Sequence, residues 1–132
     1  MSDKELYALL EKLTRLSRES EWVEFKLNFH SADEIGERLS ALSNGGCLVG
    51  QPYGYLVFGV SNDNHTIEGT TFNPKNFKYK NEDIEHWLIQ RLEPRIDFHI
   101  YEFDYNGRHI AMFEIPATHN QPVKFMHNSY IR

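Results

Sequence analysis

Glu19-Ser20-Glu21-Trp22-Val23-Glu24-Phe25-Lys26 is the stretch on which the fold of this chain turns. Val23, Phe25 and Leu27 alternate with Trp22, Glu24 and Lys26, the period-two pattern of a strand with one apolar face and one charged face. A carboxylate and an ammonium group on a half-buried strand are costly unless they have partners or a task. Glu24 and Lys26 are therefore candidate site residues from the outset.

On its C-terminal side, Ser31-Ala32-Asp33-Glu34 has the spacing of a helix cap, and Ile35, Leu39 and Leu42 follow at helical intervals until Asn44-Gly45-Gly46. This predicts a helix over 32–43. Tyr53 to Val60 is a near-continuous apolar run, long enough for a strand and too short for a buried helix, and reads as the central strand of the sheet. Asn62-Asp63-Asn64 supplies turn chemistry before a short strand around 66–69. Asn81 caps a third helix whose Ile84, Trp87, Leu88 and Leu92 form an apolar face, and Glu93-Pro94 closes it. Runs at 96–105 and 109–115 flank Asn106-Gly107, a strong hairpin signal. On the N-terminal side, Ser2-Asp3-Lys4-Glu5 and the stripe Leu6, Leu9, Leu10, Leu13 and Leu16 predict an amphipathic helix over 3–17. The expected class is α+β: a β-α-β-α-β-β mixed sheet with helices packed on it, preceded by an N-terminal helix in 1–18, with 19–132 as the domain proper.

Composition narrows the function classes. At 132 residues the chain suits one domain. No apolar run approaches the ~20 residues needed to span a bilayer, and the charged first 17 residues resemble no secretory signal. The single Cys47 cannot form an internal disulfide and fits a reducing, cytoplasmic setting. A net charge of −5 argues against a generic polyanion binder, so any nucleic-acid role needs a local patch. The seven histidines are scattered, with no pair at the helical ligand spacing of three or four. Asn44-Gly45-Gly46-Cys47-Leu48-Val49-Gly50 is rich in glycine but follows a helix and lacks G-K-(S/T), so it is not a phosphate-binding Walker A loop and implies no ATP-hydrolysing motor.

The basic and aromatic mixture in Pro74-Lys75-Asn76-Phe77-Lys78-Tyr79-Lys80 lets lysines meet phosphates while rings stack on bases. Lys75, Phe77, Lys78, Tyr79 and Lys80, with Lys26, are the candidate nucleic-acid contacts. Arg18 and Lys124 are possible extensions of that patch. The ordinary role of such a stretch is a solvated loop with one or two rings tucked into the core.

Glu19-Ser20-x-x-Val23-Glu24-Phe25-Lys26, Ala41-Leu42-Ser43-Asn44, the strand Gly54-Tyr55-Leu56-Val57-Phe58-Gly59-Val60 and Ile67-Glu68-Gly69, in that order, resemble the AlbA_2 domain, also called Schlafen AlbA_2 or divergent AAA-4. Gln121-Pro122-Val123 and Tyr130-Ile131-Arg132 resemble the family's closing elements, so the likeness spans 19–132. It implies an Alba-like fold and a DNA-binding module, RNA being a further possibility, within a bacterial transcriptional regulator or RecG-related ATP-dependent DNA helicase-like protein. The partners it implies are the ATPase-like and winged-helix regions of a longer parent chain. No cofactor is required for that role. Some Schlafen relatives instead cut RNA with two glutamates and an aspartate holding a divalent cation. Glu19 and Glu24 match the glutamates, whereas the third position is Asn62, with Asp63 one place later. The alternative is therefore an endoribonuclease using Glu19, Glu24 and Asp63 with Mg or Mn. The everyday role for Glu24 is an ion pair with Lys26 or a base on a neighbouring strand. A third possibility is a protein-interaction module that docks through the leucine stripe of the leading helix.

Overall fold

The computed structural model describes residues 1–16, 20–118 and 121–131. Helix α1 spans Asp3–Thr14, and its capping box is complete: the Ser2 hydroxyl accepts from the Glu5 amide, and the Glu5 carboxylate accepts from the Ser2 amide. Strand β1 (Val23–Lys26) leads through helix α2 (Ala32–Leu48) to a parallel neighbour, β2 (Tyr53–Phe58). A 3-10 turn at Pro74–Asn76 and a two-residue hairpin, β3 (Lys78–Tyr79) with β4 (Glu82–Asp83), precede helix α3 (Ile84–Arg91). The chain continues through β5 (Leu92–Glu93), β6 (His99–Tyr105), β7 (Arg108–Pro116), β8 (Lys124–Phe125) and β9 (Asn128–Ser129).

The main sheet has the order β1-β2-β7-β6, with one parallel pair and two antiparallel pairs. This is the mixed α+β sheet expected. Leu56, Phe58, Phe113 and Ile115 point to the face covered by α2 and α3; Tyr55, Val57, Ile110 and Met112 point to the face on which α1 lies. Both faces of β2 are thus covered, which is why it reads as a continuous apolar run. The leucine stripe of α1 is spent internally, with Leu6, Leu10 and Leu13 buried against the sheet. Each such side chain contributes about 1.5–3 kcal/mol of burial. Tyr7 adds a tie by donating its hydroxyl to the Asp104 carbonyl at 2.6 Å.

Three local expectations are corrected. Helix α2 does not stop at residue 43 but runs to Leu48, because Asn44, Gly45 and Gly46 serve tertiary contacts while keeping helical backbone. The connection to β2 is accordingly short, residues 49–52, with Gly50 turning at φ 74°. Asn81 is not a helix cap: with Lys80 it forms the β3–β4 turn, both at positive φ (66° and 51°), and Asp83 takes the cap position. In the stretch 66–69 only an isolated Val60–Ile67 bridge forms. Asn106 and Gly107, by contrast, adopt positive φ (50° and 80°) between β6 and β7, as a two-residue hairpin turn requires.

On the α1 face the buried Tyr55 hydroxyl donates to Glu114 Oε2 at 3.1 Å. Burial chiefly, and then the adjacent carboxylate, push the Tyr55 phenol well above its ordinary value of 10.0. A raised folded-state pKa means that its stabilising contribution is complete below the unfolded value and is lost as pH rises through the folded one. An alkaline absorbance titration is expected to show a phenol ionising after the exposed tyrosines, and Tyr55→Phe is expected to remove that late step.

Candidate nucleic-acid interface

Strand β1 sends Val23 and Phe25 into the α1-side core, so its alternation turns Glu24 and Lys26 toward α2. There they meet Glu34 and Arg38, one helical turn apart. Glu24 is only 7% exposed. Its Oε2 lies 3.1 Å from Arg38 Nε and 3.6 Å from Lys26 Nζ, and Lys26 Nζ is 3.5 Å from Glu34 Oε2. The Arg38 Nε hydrogen is not in line with that oxygen and has no hydrogen-bond acceptor among the described residues, so the contact is an ion pair without a straight hydrogen bond. Two cations around one buried carboxylate offset the cost of taking it out of water.

These side chains wall an open polar cleft of about 530 Å³, lined by Ser20, Glu21, Glu24, Lys26, Arg38, Asn62 and Ile131. The backbone sets its floor. Gly59 and Val60 donate to the Lys26 carbonyl at 2.7 and 3.3 Å, joining the ends of β1 and β2, and the Ser61 amide donates to the Thr66 carbonyl at 2.9 Å. That arrangement places Asn62 in the cleft. Asp63, one residue on, does not line it; its amide donates to the Ser61 hydroxyl. Glu19 and Arg18 lie outside the described residues. Of the three acids singled out from sequence, Glu24 alone is thus placed in the cleft among the described residues.

The far wall is held by a polar row on α2. Ser40 donates to the Val123 carbonyl at 2.7 Å and Ser43 to the Pro116 carbonyl at 2.7 Å. Asn44 Nδ2 donates to the carbonyls of Val123 and Tyr130 at 3.0 and 2.9 Å, while Asn44 Oδ1 accepts from the Val123 amide at 2.8 Å. Tyr130 is pinned a second time, its amide donating to Ser40 Oγ at 3.2 Å. The next residue, Ile131, is the one that lines the cleft.

The basic and aromatic stretch is divided between core and surface. Phe77 packs on Phe29 and Phe72, with ring centroids 4.6 and 5.4 Å apart, and Tyr79 meets Trp87 edge-on at 4.9 Å. Lys78 pairs with Asp83 at 2.7 Å, Lys80 lies 5.4 Å over the Tyr79 ring, and exposed Lys75 uses its amide to reach Glu102 at 2.8 Å. Lys75 and Lys80 therefore keep ammonium groups in solvent, while the rings beside them are committed to packing. Lys124 is exposed on β8, in the small β5-β8-β9 sheet.

Arg38 escaped the reading of the sequence, although a signal was present. A carboxylate on the covered face of β1 demands a cation from the layer above it, and Arg38 is the one basic residue in α2. No helix among the described residues is long and apolar enough to cross a membrane.

Residues 19–132 match the family described as Schlafen, AlbA_2. Among solved structures, the chain is similar to the DIP2311 protein of Corynebacterium diphtheriae, with TM-score 0.56, 14% identity, and coverage of 95% of this chain and 24% of that one. It is also similar to the N-terminal domain of an ATP-dependent DNA helicase RecG-related protein from Nitrosomonas europaea, with TM-score 0.52, 18% identity, and coverage of 96% and 86%. At such identities the likeness establishes the fold. The chain thus spans about a quarter of the first of these proteins and most of the second domain. No curated protein matches it.

Proposed function

The chain belongs to the Schlafen AlbA_2 family, and from that premise we propose that it is a nucleic-acid-binding module, for DNA in the first place, that positions a larger regulator or helicase-related protein and performs no chemistry itself. The observation that carries this is the Lys26–Glu24–Arg38 cluster on the open cleft, whose two cations are held in place by a buried carboxylate while their side chains remain 29% and 37% exposed. Pre-positioned cations take phosphate oxygens with little loss of side-chain freedom, and Arg38 adds a planar fork of donors. Lys75 and Lys80 supply two more solvent-facing charges. The parent regions it would serve are ATPase-like and winged-helix segments, in the cytoplasm.

Four phosphate contacts would make duplex affinity fall about 100-fold between 50 and 200 mM salt. Fluorescence anisotropy with labelled duplex and single-stranded DNA checks this. Arg38→Ala and the fold-neutral Lys75→Ala are each expected to weaken binding and reduce the salt slope by about one. Binding insensitive to salt and to both variants would sink the proposal.

The burial of Glu24 in the cleft wall favours one other reading, Mg- or Mn-dependent RNA cleavage through Glu24 with Glu19, Asp63 lying outside the cleft. Its signature is shortened RNA on a denaturing gel only when metal is added, abolished by Glu24→Ala.

A further inference from the structure

The α1 face of the sheet carries a second feature that the cleft does not use. Strand register sets Val23, Tyr55, Glu114 and His99 side by side across all four strands. The neighbouring row is Phe25, Val57, Met112 and Tyr101, and α1 shares a core with its middle members. In the outer row Val23 and Tyr55 still share the core with α1, while exposed His99 stands opposite Glu114 in register. Trp22 and Tyr53 lie 6.1 and 6.5 Å from the Tyr55 ring, and His99 lies 6.1 Å from Tyr101. Tyr53 and His99 are exposed, Trp22 and Tyr101 half-buried.

Glu114 itself is 8% exposed and is met by two phenols, Tyr55 at 3.1 Å and Tyr101 beside it. Among the described residues it enters no ion pair, in contrast to the other buried carboxylate, Glu24, which has two. A desolvated carboxylate without a cation, ringed by π-rich side chains, creates a negative field at a surface otherwise suited to flat groups. Such a setting repels a phosphate backbone. It favours a cation that can stack, and among protein side chains that is the guanidinium, which lies flat on aromatic rings while donating to a carboxylate. The net charge of −5 favours the approach of a basic segment.

We propose that this aromatic patch around Glu114 docks an arginine side chain presented by a partner protein segment. The surface is independent of the Glu24 cleft, because Glu24 and Lys26 face α2 and Glu114 faces the α1 side. A protein that uses both faces would hold a nucleic acid on one and a polypeptide on the other.

The test is a heteronuclear NMR titration of the full chain with the peptide acetyl-Gly-Arg-Gly-Arg-Gly-amide, its lysine counterpart and an oligothymidine, each up to about 5 mM, a range that captures an isolated side-chain contact. The arginine peptide is expected to shift the Trp22 indole signal and the amides of His99, Tyr101 and Glu114, and to bind several-fold tighter than the lysine peptide. Glu114→Gln keeps the shape of the site and a hydrogen-bond acceptor for Tyr55, and is expected to weaken binding about tenfold. Tyr53→Ala, at an exposed ring, is expected to weaken it by a smaller factor, and Arg38→Ala not at all. Equal binding by wild type and Glu114→Gln, shifts confined to other residues, or no shifts at all would overturn the proposal. Displacement of the peptide by oligothymidine at the same signals would overturn it too, by assigning the face to nucleic acid.

Discussion

Gly45→Ala is expected to destabilise the domain by about 3 kcal/mol, the upper end for a single methyl forced into a packed interior. In an exposed helix the same change would stabilise by nearly 1 kcal/mol, because glycine is a poor helix former. The sign reverses here because a Cβ at residue 45 would stand 1.9 Å from the Glu21 carbonyl oxygen and 2.8 Å from its carbonyl carbon. Both are backbone atoms, so no side chain can rotate away, and either α2 or the approach to β1 must shift. That approach is also constrained, since the next carbonyl, Trp22, accepts from the Tyr55 amide at 2.8 Å and sets the β1–β2 register. Gly46→Ala is the internal control. Its Cβ would meet only ordinary contacts at 3.5–3.6 Å, so the helix-propensity gain should survive as a few tenths of a kcal/mol or more. Urea unfolding of the two variants should move the midpoint in opposite directions, with Gly45→Ala lower by about 1–2 M. Equal midpoints would mean that the close approach of α2 to Glu21 does not hold the fold together.

The same three residues mark the limit of what was legible in the sequence. Asn44-Gly45-Gly46 has the chemistry of a helix stop, and only knowledge of what packs against it tells otherwise: Glu21 lies against Gly45, and the closing segment hangs from Asn44. The elements that were legible are those whose signal is local. The capping box of α1, the alternation of β1, the apolar run of β2 and the Asn106-Gly107 turn each depend on neighbours in the chain. Two-residue strands such as β5, β8 and β9 are too short to impose a period on the sequence and exist because the residues after α3 pair with the segment 124–129. The site divides in the same way. Glu24 and Lys26 stood out as charges on a half-buried strand, whereas Arg38 became visible only when α2 was laid over that strand. In the basic and aromatic loop, composition identified the lysines but could not say that Phe77 and Tyr79 would find Phe29, Phe72 and Trp87.

Asn44→Ala is the other change expected to cost about 3 kcal/mol, for a different reason. It removes three hydrogen bonds at once and leaves the amide of fully buried Val123 with no acceptor among the described residues. The Val123 carbonyl keeps the Ser40 hydroxyl, and the Tyr130 amide keeps Ser40 Oγ, so the segment should loosen before it detaches. Because Ile131 follows Tyr130 and lines the cleft, the loosening should weaken nucleic-acid binding even though no cation has been touched. Hydrogen exchange is then expected to quicken over 121–131 well before α1 or the main sheet responds. Asn44→Asp sharpens the test. It keeps the shape but replaces the donor that faces two carbonyls with a carboxylate oxygen, and burial together with those carbonyls raises the pKa of the introduced carboxyl. A raised folded-state pKa favours the folded state at low pH, where the protonated acid again offers a donor, and disfavours it as pH rises. The Asn44→Asp variant should therefore approach wild-type stability near pH 4 and lose most of it by pH 7, whereas the Asn44→Ala deficit should stay nearly constant with pH. A deficit in Asn44→Asp that does not grow with pH would show that Asn44 fills space at this point and does not clamp the chain's closing segment by hydrogen bonds.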